Sequence, residues 1–162
     1  MIKHIWTIVC SKASIDEQSH NASLFNVLEQ INVLEEIRDP KPVLAFSFEV
    51  LTCWIRENSE IPCRGRQRLT LIDPQNEQLA HIELDINLAK TERARNRFQL
   101  NGLPLSIAGR YFFRTDFQED GESDWQTVHE YPLTINISTH TLEVEESGAP
   151  AGVIGESGSN SP

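Results

Sequence analysis

Lysine and arginine are missing from the last third of this chain. All 14 of its basic residues lie before residue 115, whereas ten of its 24 acids lie after it. The first 114 residues are therefore balanced, and the formal net charge of −10 sits in residues 115–162. Such an end repels phosphate backbones and attracts basic partners. Long apolar runs are missing too: none approaches the roughly 20 residues needed to cross a bilayer. The opening MIKHIWTIVCSK has no small-residue cleavage site, which argues against a signal peptide and for a cytoplasmic location.

Cysteine is scarce. Cys10, Cys53 and Cys63 are odd in number and form no CxxC, so neither a zinc site nor a disulfide framework is indicated. Cys53 and Cys63 can be set facing each other across a hairpin, but a reducing cytosol predicts free thiols. The sequons at Asn21 and Asn136 carry no meaning without secretion. Catalytic signatures are absent as well: no GxGxxG, P-loop, HExxH or GxSxG occurs. The five histidines are scattered, and His4, His81 and His129 fall in predicted strands, where they read as sheet residues. Cys10, Ser11 and Lys12 put a thiol near an ammonium, which would lower the thiol pKa, but no partner base accompanies it. We therefore expect no enzyme and no cofactor.

What the chain does have is short period-two alternation punctuated by turn residues. Strands are predicted near 2–10, 22–32, 42–55, 66–73, 79–88, 94–101, 109–117 and 125–137. Leu44, Phe46, Phe48, Val50 and Trp54 share one face of the third. Tyr111, Phe113 and Phe117 share one face of the seventh, with Phe112 opposite. The pattern predicts an all-β fold, a single antiparallel β-sandwich of about eight strands over residues 1–139. At most one or two short helical turns are expected, in DEQSHNASLF or NVLEEIRD. From residue 140 to 162 the sequence is rich in Gly, Ser, Pro and Glu and reads as a flexible acidic tail.

Two arginine runs, PCRGRQRLTL and KTERARNRF, stand out in so acidic a chain. A hairpin through DPQNEQ that pairs Leu69 with Ile82 sets Arg68 opposite Glu83 and Arg66 opposite Asp85. A second hairpin that pairs Leu84 with Phe98 brings Arg97 to the other side of Asp85. In this charge ladder of Arg66, Arg68, Glu83, Asp85 and Arg97, each directly opposed pair contributes roughly 0.2–1 kcal/mol. No aromatic residue is interleaved on that face, so a nucleic-acid groove is disfavoured. The acidic loop DFQEDGESDW offers Asp116, Glu119, Asp120, Glu122 and Asp124 as a calcium loop at a sandwich end. Its plainer reading is a solvated hairpin tip. Trp6, Trp54 and Trp125 would mark a protein-binding patch if exposed together.

The order of these segments also carries a resemblance. A first strand ending at Cys10 is followed by SLFNVLEQI, the Pro-led KPVLAFSFEV, RLTLIDPQNEQL, FQLNGLPLSIAGRYFFRTDF and a closing YPLTINI. Over roughly residues 2–137 this resembles an uncharacterised bacterial family of small β-sandwich proteins, a domain of unknown function, with a loosely C2-like outline. The resemblance implies the sandwich and a bacterial cytoplasm, and no reaction. The expected function is a non-catalytic binding or accessory module with a protein partner or a second copy of itself. A calcium- or lipid-responsive module and a small enzyme without recognisable motifs are the alternatives.

Overall fold

A computed structural model describes residues 1–33, 43–105 and 107–138. Among these residues nine strands form two packed sheets: β1 (Ile2–Ile15), β2 (Ala22–Val27), β3 (Gln30–Val33), β4 (Val43–Arg56), β5 (Arg64–Ile72), β6 (Gln78–Asn87), β7 (Arg93–Pro104), β8 (Gly109–Glu119) and β9 (Gln126–Ile137). Sheet I has the order β2-β1-β4-β7 and sheet II the order β3-β9-β8-β5-β6. All pairings are antiparallel except β3 with β9, which is parallel. The fold is the expected β-sandwich.

Every predicted strand is present, and the second one is divided. Asn26 adopts a left-handed φ of 50°, a conformation asparagine tolerates better than branched residues. The Leu28 amide then donates to Val9 O in sheet I, and Gln30–Val33 pairs with β9 in sheet II. The chain thus changes sheets within a few residues, which a reading of one strand over 22–32 cannot show. No helix occurs among the described residues. In DEQSHNASLF, the Asp16 carboxylate instead accepts from the Ser19 amide at 2.6 Å and the Gln18 amide at 3.2 Å, closing a turn before β2. NVLEEIRD supplies Asn32 and Val33 to β3, and its remainder lies outside the described residues, as does the tail placed at 140–162.

The β5–β6 hairpin has the predicted register, Leu69 opposite Ile82. Its turn is held by Asp73 Oδ1, which accepts from the Gln75 and Glu77 amides, with Asn76 at φ 68°. The second predicted hairpin does not exist. β6 is an edge of sheet II, whereas β7 pairs with β4 in sheet I, Leu51 opposite Arg97 and Val50 opposite Phe98. The segment between them closes one end of the sandwich: Leu88 is fully buried, its amide donates to Cys63 O, and Arg56 Nη1 donates to Leu88 O. Burying Leu88 at that corner, and Phe98 and Leu103 against Phe48, wins over continuing the meander. β4 and β5 likewise lie in different sheets, so Cys53 and Cys63 do not face each other across a hairpin, and all three cysteines are free thiols.

The inter-sheet core runs from Val9, Phe48 and Val50 across to Leu69, Leu71, Tyr111, Phe113, Leu133 and Ile135. A second cluster caps it with Ile2, Trp54, Ile86, Leu88 and Phe117. Tyr111, Phe113 and Phe117 do share the inner face of β8. Trp54 is fully buried, and its indole Nε1 donates to Gln67 Oε1 at 2.8 Å. Gly65 is required where β5 passes Phe117, since a Cβ there would lie 2.6 Å from the Phe117 ring.

Candidate functional site

On the outer face of sheet II, the charges around Asp116 satisfy one another. Arg66 and Arg68 lie opposite Asp85 and Glu83 in the backbone ladder, as the sequence predicts, but their guanidinium groups bond the other way. Arg68 Nη2 reaches Asp116 Oδ2 at 3.1 Å, and Arg66 Nη2 donates to Gln118 Oε1. Asp116, 2% exposed, also takes the Thr127 hydroxyl at 2.7 Å and stands 3.3 Å from Arg114 Nε. Trp125 closes over the group, its ring centroid 4.6 Å from Arg68 Cζ and 5.5 Å from Arg66 Cζ. This corrects the absence of an aromatic on the arginine face. The ring arrives from the β8–β9 loop, far away in sequence, and the one trace of it was a tryptophan closing an acidic turn. Arg97 leaves the ladder altogether: in sheet I it donates to Glu49 Oε1 at 2.6 Å.

The same network removes Asp116 from the calcium loop. Glu119 stands 3.9 Å from the N-terminal ammonium, while Asp120, Glu122 and Asp124 are at or beyond the strand end. Among the described residues no group of three or more His, Cys, Asp or Glu is placed to hold a metal ion.

Sheet I differs. Outer faces of sandwich sheets are normally polar, yet β4 is buried without interruption from Phe48 to Trp54. Phe48 and Val50 point into the inter-sheet core, and Leu51 belongs to a separate cluster with Cys10 and Ala13, against which Trp6 and Leu24 pack. The ladder sets Ile8 beside Leu51, Trp6 beside Cys53 and Val27 beside Cys10. Leu51 and Cys10 are fully covered, whereas Val27 is 45% exposed and Trp6 and Ile8 are half-buried. β1 carries this apolar stretch between exposed Lys3 and Lys12. On the far side of β4 the same face carries Arg93, Arg95 and Arg97, opposite Ile55, Cys53 and Leu51. The carboxylate of Glu49, 5% exposed, is held by Arg97 and by the Ala13 amide at 2.8 Å.

Cys10 is not the activated thiol its neighbour Lys12 suggested. Burial pushes its pKa up, and the Glu49 carboxylate adds to the effect. Burial raises the Cys53 thiol likewise. Trp54 lies in the core and Trp125 on sheet II, so the three tryptophans do not form one patch.

Between the sheets, His4 meets Trp54 edge-on at 4.9 Å between ring centroids and His129 at 5.3 Å. His4 Nε2 and Thr7 Oγ1 are 2.8 Å apart, and Thr7 bonds Thr115 of the opposite sheet at 2.9 Å. Burial, then the neighbouring His129, lower the His4 pKa from 6.5 to about 4. On the opposite side, the edges of β6 and β7 leave a cleft of about 190 Å³ between the sheets, lined by Leu69, Ile82, Leu100, Leu103 and Phe113.

No family model matches the sequence, and no curated protein does either. Among solved structures, a glycosyl hydrolase family 2 member from Bacteroides cellulosilyticus DSM 14838 is similar to this chain at 13% identity and a TM-score of 0.43. The match covers 59% of this chain and 14% of that one. No helix among the described residues is long and apolar enough to cross a membrane.

Proposed function

We propose that this chain is a non-catalytic binding module of a bacterial cytoplasm, and that the β2–β1 half of the outer face of sheet I docks a protein partner. The uninterrupted burial of β4 carries the reading: a two-layer sandwich has no need of a second apolar cluster outside the sheet. Trp6, Ile8 and Val27 extend that cluster into solvent, and a tryptophan set among apolar neighbours is a frequent anchor of protein interfaces. Lys3, opposite Ile55 at one end of the strip, asks for a carboxylate on the partner. The partner is accordingly an apolar protein surface with an acid at its rim. The resemblance to the uncharacterised bacterial sandwich family agrees with an accessory role.

The test uses the full-length protein immobilised in lysate from its native host, beside an Ile8→Glu/Val27→Glu double variant and an Arg110→Glu variant on sheet II. A protein retained by the wild type and by Arg110→Glu, and lost from the double variant, supports the reading. Identical retention by all three, or retention of nucleic acid alone, overturns it. Thermal melts confirm that each variant is folded.

A further inference from the structure

Among the described residues, one side of the sandwich presents two unpaired edges, one above the other. β6 ends sheet II and β7 ends sheet I, and the two run in opposite directions because a short corner joins them. At the corner they are clasped, Asn96 Nδ2 donating to Asp85 O at 3.1 Å. The bond shows that the Asp85 backbone faces away from β5, and alternation then turns the backbone groups of Glu83 and His81 outward too. Away from the corner the sheets part into the apolar cleft, and Ile82 and Leu84, whose opposite numbers Leu69 and Gln67 are buried, are themselves 39% and 38% exposed. Long bare edges with exposed aliphatic residues are templates for strand addition.

Charge says what the edges accept. The outward face of β6 carries Glu83 and Asp85, and that of β7 carries Arg93 and Arg95. Among the described residues none of the four has an ion-pair partner within the chain, and Arg95 Nε is buried without a hydrogen bond. A two-fold axis perpendicular to the layers would set β6 against β6 and β7 against β7, acid on acid and arginine on arginine. An axis parallel to the strands exchanges the layers. It sets β6 of one copy antiparallel to β7 of the other, with both outward faces on the same side and acids beside arginines. We propose that the chain forms a two-fold dimer by this reciprocal β6–β7 pairing, which extends each sheet into the other copy and closes both clefts.

Symmetry makes each contact occur twice. Sedimentation equilibrium should show a wild-type dimer whose dissociation constant rises with salt. Glu83→Lys/Asp85→Lys, or Arg93→Glu/Arg95→Glu, should each raise that constant by about tenfold or more. The chain carrying all four substitutions restores the complementarity and should dimerise within about threefold of wild type. Leu84→Arg should give a folded monomer. A wild-type monomer at every concentration, doubles that dimerise unchanged, or a quadruple variant no tighter than the doubles overturns the proposal. Because none of these substitutions touches Ile8 or Val27, a failed dimer leaves the partner-docking test standing, and the reverse.

Discussion

The two sheets of this sandwich treat their outer faces in opposite ways. On sheet II, Arg66, Arg68, Asp116, Gln118, Thr127 and Trp125 complete one another, so the β5–β8 part of the surface is closed by its own side chains. On sheet I, an apolar cluster sits outside the sheet, and among the described residues it is capped by half-buried side chains, beside arginines of which Arg93 and Arg95 have no described carboxylate partner. Counting arginines does not find a binding face. What matters is whether their partners already lie within the chain.

Substitutions on the two faces sharpen that contrast. Leu51→Ala, although outside the inter-sheet core, should cost about 2–4 kcal/mol in urea unfolding, because its site is as covered as a core site. A cost below about 0.5 kcal/mol, normal for a surface position, would show that the outer cluster is not packed. Asp116→Ala strips the shared carboxylate from Arg68 and Arg114. Since those arginines are 26% and 30% exposed, the loss should be about 2–3 kcal/mol, below that of a fully buried pair. Arg93→Ala, by contrast, should leave stability within about 0.5 kcal/mol of wild type.

A smaller effect belongs to the seam between the sheets. His4 titrates near 4 in the folded protein and at 6.5 when free, so below pH 6.5 the unfolded chain takes up the proton first. The stability contributed by neutral His4 is complete above pH 6.5 and is lost as pH falls toward 4. The expected loss is roughly 1–2 kcal/mol, discounted for partial exposure. Unfolding free energies of wild type and His4→Gln at pH 7 and pH 4.5 check it: the variant should show the shallower fall.

The β5–β6 hairpin was legible because everything it needs is local: alternation, an Asp-Pro turn and an asparagine for the left-handed position. The sheet change after Asn26 and the corner at Leu88 were not, because a strand pattern says which residues face inward and not which neighbour they pair with. The choice of β4 over β6 as the partner of β7 is made by burial of Phe98 and Leu103, a long-range term. The site followed the same rule. Arg66 and Asp85 fell opposite each other as expected, yet the bonds went to Gln118 and Asp116 on a strand some 50 residues away. The double burial of β4 was visible as the nearly continuous FEVLTCW, though alternation of its aromatic residues drew attention to one face alone.

The central claim is that the β1–β2 strip of sheet I is an open face and the Asp116–Trp125 part of sheet II a closed one. Carbene footprinting of the full-length protein, with and without the partner retained from lysate, tests it most directly. Protection at Trp6, Ile8 and Val27, with labelling of Trp125 and Arg110 unchanged, is the predicted result. Protection centred on Trp125, with sheet I labelled as before, would contradict the account.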